Sequence, residues 1–292
     1  MKLKKHLIYL LASLLMLCGC SVNVTDQSSG SQESTAPYVP QDDLEELTVY
    51  SFKAGKADAH LIYNSKAAVL IDCGEKGFGK EIVSYLNAQG IRELDMLIIT
   101  HFDKDHVGGA AKVLKEIPVK RVIQTNYIKQ NKEYDSYAQA VSELGITPET
   151  PRQRISVLIG GGELTVCPPL REVYQDSTSN NASLITILRY GSCSMLFAAD
   201  AEDTRLGEFL NTEAGHYDYV KMPYHGHYQT RLKPFLAAVT PQIAVITCSD
   251  EEPEDAQTMK LLAEAGAAVY LTRTAAVIAK CDGKGVSAFY EK

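Results

Sequence analysis

Apolar and polar residues alternate in short blocks from about residue 46 to the end of the chain. The first blocks are β-rich, and a helical pattern that stops at Gly90 follows them. A continuous apolar run at 95–100 then predicts a buried strand, after which helical and strand patterns alternate. The β-rich blocks are LTVYSF (47–52), AHLIYN (59–64) and AAVLIDCG (67–74).

A second half repeats this arrangement, without an obvious repeat at the level of single residues. It begins near Ile155 with strand-like runs that end in SMLFAAD (194–200), and it returns to strand–helix alternation up to the C-terminus. Two such halves placed back to back predict two sheets that pack on each other with helices outside. The expected fold is therefore an α/β protein with a four-layer αββα sandwich.

The first twenty residues have the pattern of a bacterial secretion signal. Three lysines among the first five residues precede an apolar run at 7–17, which is too short to span a bilayer comfortably as a mature anchor. The run ends in LCGCS (17–21), which resembles the lipobox whose last cysteine, here Cys20, becomes a lipidated N-terminus. An uncleaved signal anchor is the alternative. We expect lipid anchoring at the extracytoplasmic face of the bacterial cell membrane.

Residues 21–45 are rich in Ser, Thr, Gln, Asp and Pro and poor in large apolar side chains. Such a segment cannot bury enough surface to offset the entropy of ordering it, which predicts a disordered tether. The rest, 46–292, is long enough for one large domain or two fused halves. The predicted order is thus a signal peptide (1–20), a tether (21–45) and a folded domain (46–292).

The chain is acidic, with a formal net charge of −7. Removal of the signal peptide with its three lysines would bring this charge to −10. Long nucleic acids bind to basic tracks that displace counterions, so the charge disfavours nucleic acid as a partner. A metal-centred site that handles one phosphate locally is compatible with it.

The five cysteines of the predicted domain show no CxxC spacing, and four of them lie in or beside apolar runs. This pattern favours small buried side chains over zinc ligands or a disulfide framework. The five are Cys73, Cys167, Cys193, Cys248 and Cys281.

Two histidines and two aspartates are interleaved in the segment HFDKDH, directly after the predicted buried strand. Ligands in open α/β sheets gather at such carboxyl ends of strands. Imidazole nitrogen and carboxylate oxygen suit zinc, manganese or iron. A solvated loop with a helix-capping aspartate is the alternative, although capping needs only one such residue. The candidate ligands are His101, Asp103, Asp105 and His106.

The segment THFDKDHVGG (100–109) resembles the HxHxDH signature of the metallo-β-lactamase superfamily, in the variant with Asp at the second position. That variant is similar to the extracellular domain of ComEC/Rec2-type competence proteins and their stand-alone relatives. The resemblance extends over residues 47–292 and implies the metallo-β-lactamase αββα fold. Four further segments resemble family elements in the same order: FKAGKADAHLI, VLIDCGE, NNASLITIL followed by MLFAADAE, and KMPYHGH.

The resemblance implies a centre for one or two divalent ions, zinc or manganese, that activates water for hydrolysis. The implied ligands are His101 and Asp103 for a first site, Asp105, His106 and His225 for a second, and Asp200 as the bridge between them. Within this set, Asp105 and His106 are the implied catalytic residues.

Other residues are expected around these ligands. Asp72 would orient them, and Asp58 would do the same or act only as a turn carboxylate. Asn181 and Ser183 would contact the substrate or the ligands of the first site, with a plain turn role as the alternative.

Two departures of the chain from the family pattern concern histidine ligands. The wider superfamily has a histidine ligand upstream of the bridging aspartate, where this chain has Asn181, so β-lactam hydrolysis at a three-histidine zinc site is a poor fit. The family's HHG element is reduced to Tyr224-His225-Gly226, which leaves His227 as a candidate substitute. A single occupied site, weaker metal binding and an inactive relative all stay open.

The leading functional prediction is an extracytoplasmic metallo-hydrolase that cleaves a phosphodiester or related ester with metal-activated water. The acidic charge favours a small or cell-surface phosphoester as its substrate over nucleic acid. The alternative is a catalytically weak or inactive binding or scaffold lipoprotein of the same fold, including an accessory of DNA uptake.

Overall fold

The structure, a computed structural model, describes residues 44–292. The predicted signal peptide, Cys20 and nearly all of the predicted tether lie outside the described residues. The last two residues of that tether contact the folded part: Leu44 packs against the core between the sheets, and the carbonyl of Glu45 accepts a 2.6 Å hydrogen bond from Tyr190.

The first of two seven-stranded sheets combines antiparallel and parallel pairing. In spatial order its strands are β14 (Val286–Tyr290), β13 (Val277–Cys281), β1 (Leu47–Ser51), β2 (His60–Tyr63), β3 (Ala68–Ile71), β4 (Leu94–Ile99) and β5 (Val119–Gln124). Neighbours from β14 to β3 pair antiparallel, whereas β3, β4 and β5 are parallel.

The second sheet also combines antiparallel and parallel pairing. In spatial order its strands are β12 (Ala268–Leu271), β11 (Ile243–Ile246), β10 (Tyr219–Lys221), β9 (Cys193–Phe197), β8 (Ile185–Tyr190), β7 (Gly162–Cys167) and β6 (Ile155–Ile159). The strands β6 to β9 pair antiparallel, and β9 to β12 are parallel.

Helices connect the strands of both sheets. They are α1 (Gly79–Ala88), α2 (Lys104–Val107), α3 (Ala110–Glu116), α4 (Lys132–Glu143), α5 (Thr178–Asn181), α6 (Asp203–Thr212), α7 (Leu232–Val239) and α8 (Ala256–Glu264). A 3-10 turn, Pro223–Gly226, follows β10. Within residues 44–292, none of the helices combines the length and the apolar character needed to cross a membrane.

Three apolar cores arrange these elements in layers. The central core lies between the sheets and joins side chains such as Ile71 and Met96 of the first sheet to Met195 and Val245 of the second. One outer core packs the first sheet against α1, α3 and α4, and the other packs the second sheet against α6, α7 and α8. The predicted four-layer αββα sandwich is confirmed.

The cysteines of the domain behave as their apolar surroundings predict. Cys73, Cys167, Cys193, Cys248 and Cys281 are all buried and free of disulfide bonds. They therefore act as small core side chains.

The parallel strands bring polar residues of distant sequence to one edge of the sandwich. In the first sheet, Asp72 directly follows β3 and His101 comes just after β4. In the second sheet, Asp200 comes just after β9 and Thr247 directly follows β11. Carboxyl ends of parallel strands are where ligand sites of α/β proteins form.

Candidate metal centre

Three histidine rings from both sheets converge on one carboxylate. Nε2 of His225 lies 3.0 Å from Oδ2 of Asp200, and Nε2 of His106 lies 3.2 Å from the same oxygen. Nε2 of His101 is 3.8 Å from it. All four side chains are buried. Asp200 thus lies between the histidines, where the sequence predicts a bridging ligand.

Asp103 and Asp105 extend the cluster on two sides. Oδ1 of Asp103 is 4.0 Å from Nε2 of His101, and Oδ2 of Asp105 is 3.5 Å from Nε2 of His225. The atoms of His106 group both with His101 and Asp200 and with Asp105 and His225. The structure therefore places His106 between the two sets, whereas the sequence assigned it to the second set alone.

Asp72 fixes the orientation of the His106 ring. Its Oδ2 lies 2.8 Å from Nδ1 of His106, and its two oxygens also accept hydrogen bonds from the amide (2.8 Å) and the hydroxyl (2.6 Å) of Thr100. An Nδ1 proton that points at Asp72 leaves Nε2 free as a ligand atom. This is the contact that an orienting carboxylate makes at metal centres.

Asp58 has the same relation to His225, through one intervening hydroxyl. The Thr247 hydroxyl donates to Oδ1 of Asp58 at 2.6 Å and lies 3.1 Å from Nδ1 of His225. Because the Thr247 proton is used toward Asp58, the Nδ1–H of His225 donates to Thr247 and Nε2 stays free. Asp58 is buried, and it helps to orient His225 through Thr247 in addition to its place in a turn.

Lys221 is a component of the site to which the sequence pattern assigned no role. Its fully buried ammonium forms an ion pair with Asp58, donates a 3.0 Å hydrogen bond to the carbonyl of Ala199 and lies 3.7 Å from Oδ1 of Asp200. Lysines are almost never fully buried unless they are paired. Its place at the end of the apolar strand β10 is the sequence signal that points to such a pairing.

Strained backbone positions the residues on the second sheet. Ala199 (φ 49°), Tyr224 (φ 46°) and His225 (φ 53°) all have left-handed conformations, which cost about 1–3 kcal/mol each outside glycine. A glycine would adopt the conformation of Ala199 without this cost. The carbonyl of Ala199 accepts from both Lys221 and the amide of Tyr224, so this strained turn is held at several points.

The remaining predicted residues have different surroundings. Asn181 uses its amide to donate to the carbonyl of Asp176 (3.0 Å) and to accept from the amide of Arg205 (3.1 Å). The Ser183 hydroxyl is buried and has no partner among the described residues. His227 lies 3.8 Å from Asp255 and does not join the ligand groups, so the structure brings His225, and not His227, into the cluster.

The charges of the cluster shift its pKa values strongly. Burial alone would lower the pKa of His225, but the carboxylates of Asp200 and Asp105 raise it to about 9. Against the same effect of burial, Asp200 and Asp72 raise the pKa of His106 well above its usual range. The pKa of Asp200 is held well below its usual range by His225 and His106, although burial opposes this. Without a metal the cluster therefore retains protons that a cation would displace.

The donor set fits a divalent cation. Nε2 of His101, His106 and His225 and Oδ1 of Asp200 are buried without a hydrogen-bond partner among the described residues, and such atoms are costly unless something binds them. The ligand atoms of each group lie within 4.8 Å of one another. Imidazole and carboxylate donors suit zinc, manganese or iron. These residues would hold one or two such ions.

The cluster opens into a cleft of about 350 Å³. Asp200, Asp103 and Asp105 form its inner part. Lys129 and Lys56 stand at its rim: Nζ of Lys129 lies 2.6 Å from Oδ2 of Asp103, and Nζ of Lys56 lies 3.4 Å from Oδ2 of Asp105. A substrate would therefore reach the candidate ligands past two cationic side chains.

Comparison with known proteins gives the family. Residues 53–249 match the family model of the metallo-beta-lactamase superfamily, and this interval contains all the candidate ligands. ComE operon protein 3 of Bacillus subtilis (strain 168) is 30% identical over 170 residues, which cover 58% of this chain and 22% of that protein. Recombination protein 2 of Haemophilus influenzae is 26% identical over 210 residues, which cover 70% of this chain and 24% of that protein.

The chain thus spans about a quarter or less of the length of these curated relatives. Among solved structures, the metallo-beta-lactamase fold protein YhfI from Bacillus subtilis is similar with a TM-score of 0.53 and 11% identity, over 78% of this chain and 96% of that one. A variant of the CmlA beta-hydroxylase has a TM-score of 0.51 and 16% identity, over 80% of this chain and 53% of that one. The chain belongs to the metallo-β-lactamase superfamily, and part of its sequence is similar to ComE operon protein 3 and Recombination protein 2.

Proposed function

We propose that this protein hydrolyses phosphodiester or related ester bonds outside the cytoplasm, with one or two zinc or manganese ions. The observation that carries this proposal is the convergence of three buried histidine Nε2 atoms on Asp200. Imidazole and carboxylate at such distances form the donor set of a divalent cation, which would displace the protons that the cluster retains without metal. The match to a superfamily with metal-dependent hydrolase folds supports hydrolysis as the reaction class.

A bound divalent ion lowers the pKa of coordinated water toward neutrality and stabilises negative charge that develops on the substrate. In the hydrolysis of a phosphodiester, the water oxygen bonds to phosphorus, the ester P–O bond breaks, and a proton of the water passes to the leaving alkoxide. The protein's part is orientation: Asp72 holds the ring of His106, and Thr247 and Asp58 hold that of His225.

We base the proposed substrate class on the net charge of the chain and on the names of its relatives. Recombination protein 2, a relative of similar sequence, has a name that points to nucleic acid, and thus to phosphodiesters. The net charge of −7 opposes binding of a long polyanion and favours a small or cell-surface phosphoester. Both considerations are compatible with a short phosphodiester.

A second candidate function is a binding lipoprotein that has lost turnover. It is favoured by Tyr224, which stands where the family has a histidine, and by Asn181, whose amide is occupied by backbone contacts where the wider superfamily has a ligand. An accessory of DNA uptake belongs to the same class. It would bind DNA with an affinity that falls steeply with salt.

Metal content separates the two candidates. We would purify the full chain in detergent and measure bound metal per chain for the wild type and for the variants His106→Ala, Asp200→Ala and His216→Ala. His216 is the matched control, because its contacts are Thr240 and Asp218, away from the cluster. The hydrolase requires near-stoichiometric zinc or manganese that only the first two variants lose, together with hydrolysis of bis(p-nitrophenyl) phosphate. Wild-type protein that stays empty after incubation with zinc, manganese and iron would refute it.

We also propose that Cys20 carries the lipid anchor. The wild type should incorporate a labelled fatty acid and fractionate with membranes, and a Cys20→Ala variant should do neither. Labelling that survives this substitution would show that the anchor lies elsewhere.

A further inference from the structure

Two lysines hold the candidate metal ligands from the side of the cleft. Nζ of Lys56 is within 3.4 Å of Asp105 and 3.3 Å of Glu252, and Nζ of Lys129 is 2.6 Å from Asp103. One explanation of these contacts is that the two lysines neutralise the negative charge of the neighbouring carboxylates. That explanation holds only while no cation is bound, because Asp103 and Asp105 are themselves candidate ligands.

The charge of the centre changes when it binds metal. The aspartates around it are Asp58, Asp72, Asp103, Asp105 and Asp200, and the buried Lys221 offsets one of them. Two divalent ions would balance the remaining negative charge. The two rim lysines then contribute an excess of positive charge, which an anionic substrate would compensate. Glu252 reduces this excess only in part, since its side chain is 55% exposed and screened by water. Glu133 also lines the cleft, and a third lysine there, Lys104, offsets its charge.

The two lysines occupy different depths. Lys56 contacts the same oxygen of Asp105 that faces His225, and its side chain is only 22% exposed. Lys129 contacts Oδ2 of Asp103, the oxygen other than the one that faces His101, and it is 43% exposed. Lys56 is therefore the inner cation, beside the candidate ligand Asp105, and Lys129 is the outer one.

We propose that Lys56 binds the phosphate that is cleaved and Lys129 binds a second phosphate next to it, so that the enzyme prefers short phosphodiesters with an adjacent phosphate. This inference rests on the proposed hydrolase function and adds the substrate class to it. Ammonium–phosphate hydrogen bonds are among the stronger polar contacts of proteins. The acidic net charge of the chain keeps the preferred substrate short.

The role of Lys56 can be tested by binding alone. Inorganic phosphate is titrated calorimetrically into the zinc-loaded full chain, for the wild type and for Lys56→Met, Lys56→Arg, Lys129→Met and Lys104→Met. Lys104 is the matched control: it lines the same cleft, but its Nζ lies 3.7 Å from Glu75 and its side chain is 68% exposed. Lys56→Met should weaken phosphate binding at least about tenfold, and Lys56→Arg should retain most of it.

The role of Lys129 is tested with two dinucleotides, dithymidylate with and without a 5′-phosphate. The wild type should have a higher kcat/KM for the phosphorylated form, chiefly through a lower KM. Lys129→Met should remove this preference, so that the two dinucleotides are cleaved with equal kcat/KM. Lys56→Met should raise KM for both substrates, and Lys104→Met should match the wild type.

The outcomes distinguish this inference from the hydrolase function itself. Phosphate binding that depends on Lys56, in a protein that cleaves neither the dinucleotides nor bis(p-nitrophenyl) phosphate, would support the anion site and refute the hydrolase. Cleavage of both dinucleotides at rates that are equal in the wild type and all lysine variants would support the hydrolase and refute this inference. Zinc-loaded wild type that does not bind phosphate would also refute it.

Discussion

The ammonium of Lys221 lies 3.7 Å from Oδ1 of Asp200, whereas the histidine nitrogens of His106 and His225 contact Oδ2 of the same carboxylate. The two oxygens of Asp200 thus have different partners. Because Lys221 also pairs with Asp58, it links a carboxylate in the β1–β2 loop to one that follows β9. This internal cation thus lies between the Asp58 and Asp200 carboxylates, where it would hold both side chains in place beside the candidate metal ligands.

Replacement of Lys221 by methionine should both destabilise the protein and weaken metal binding. It leaves Asp58 buried without its cationic partner, and breaking a buried ion pair costs about 3–5 kcal/mol. The free energy of unfolding from urea titration would show this loss. The double variant Lys221→Met/Asp58→Asn removes the unpaired charge and should recover much of the stability but not the metal affinity. Wild-type metal affinity in the double variant would reduce Lys221 to a structural role.

The sequence predicted those parts of the site whose residues are close together along the chain. His101, Asp103, Asp105 and His106 lie within six consecutive residues after β4, the last two of them in α2, so their proximity follows from the chain itself. The two sheets were also predictable, because apolar periodicity separates strands from helices and each needs a buried face. Asp200 was predicted through a family motif, since nothing local ties it to the histidines.

The residues that were not predicted depend on pairing between distant segments. The role of Lys221 follows from the parallel register of β9 and β10, which places Lys221 beside Phe197 and so close to Ala199 and Asp200. The rim position of Lys129 likewise follows from the path of the β5–α4 connection, which brings it to Asp103. Such contacts require the tertiary structure, because no short-range periodicity encodes them.

Asp72 should control metal affinity without controlling the fold. Asp72→Asn keeps the shape of the side chain, and asparagine tolerates the left-handed conformation (φ 56°) found there. It removes the carboxylate that orients His106, so metal affinity should fall about 10- to 100-fold. Competition with a metal chelator would measure this, and circular dichroism would verify the fold. Undiminished affinity would contradict the orienting role.

His225 and His227 form a matched pair within one segment. His225→Ala should abolish binding of metal to the set that includes Asp105, because the ring of His225 supplies the only histidine nitrogen within 3.5 Å of Asp105 among the described residues. His227→Ala should retain wild-type metal content, since that ring lies beside Asp255. Metal content per chain, measured on both proteins, tests the assignment. Equal losses in the two variants would show that His227 participates after all.

Metal affinity should rise with pH up to about 9. In the metal-free protein the pKa of His225 is raised to about 9, chiefly by Asp200 acting against the effect of burial, so at pH 7 the ring is protonated. A cation must displace that proton, and apparent affinity should therefore increase by about tenfold per pH unit for each proton released, with the contribution of His225 ending near pH 9. A raised pKa favours the protonated ring, which cannot bind a metal, so metal affinity rises as the pH rises. Chelator competition between pH 6.5 and 9.5 would measure the slope, and His225→Gln should lower it by about one proton. A flat profile for the wild type would show that His225 does not exchange a proton for the metal.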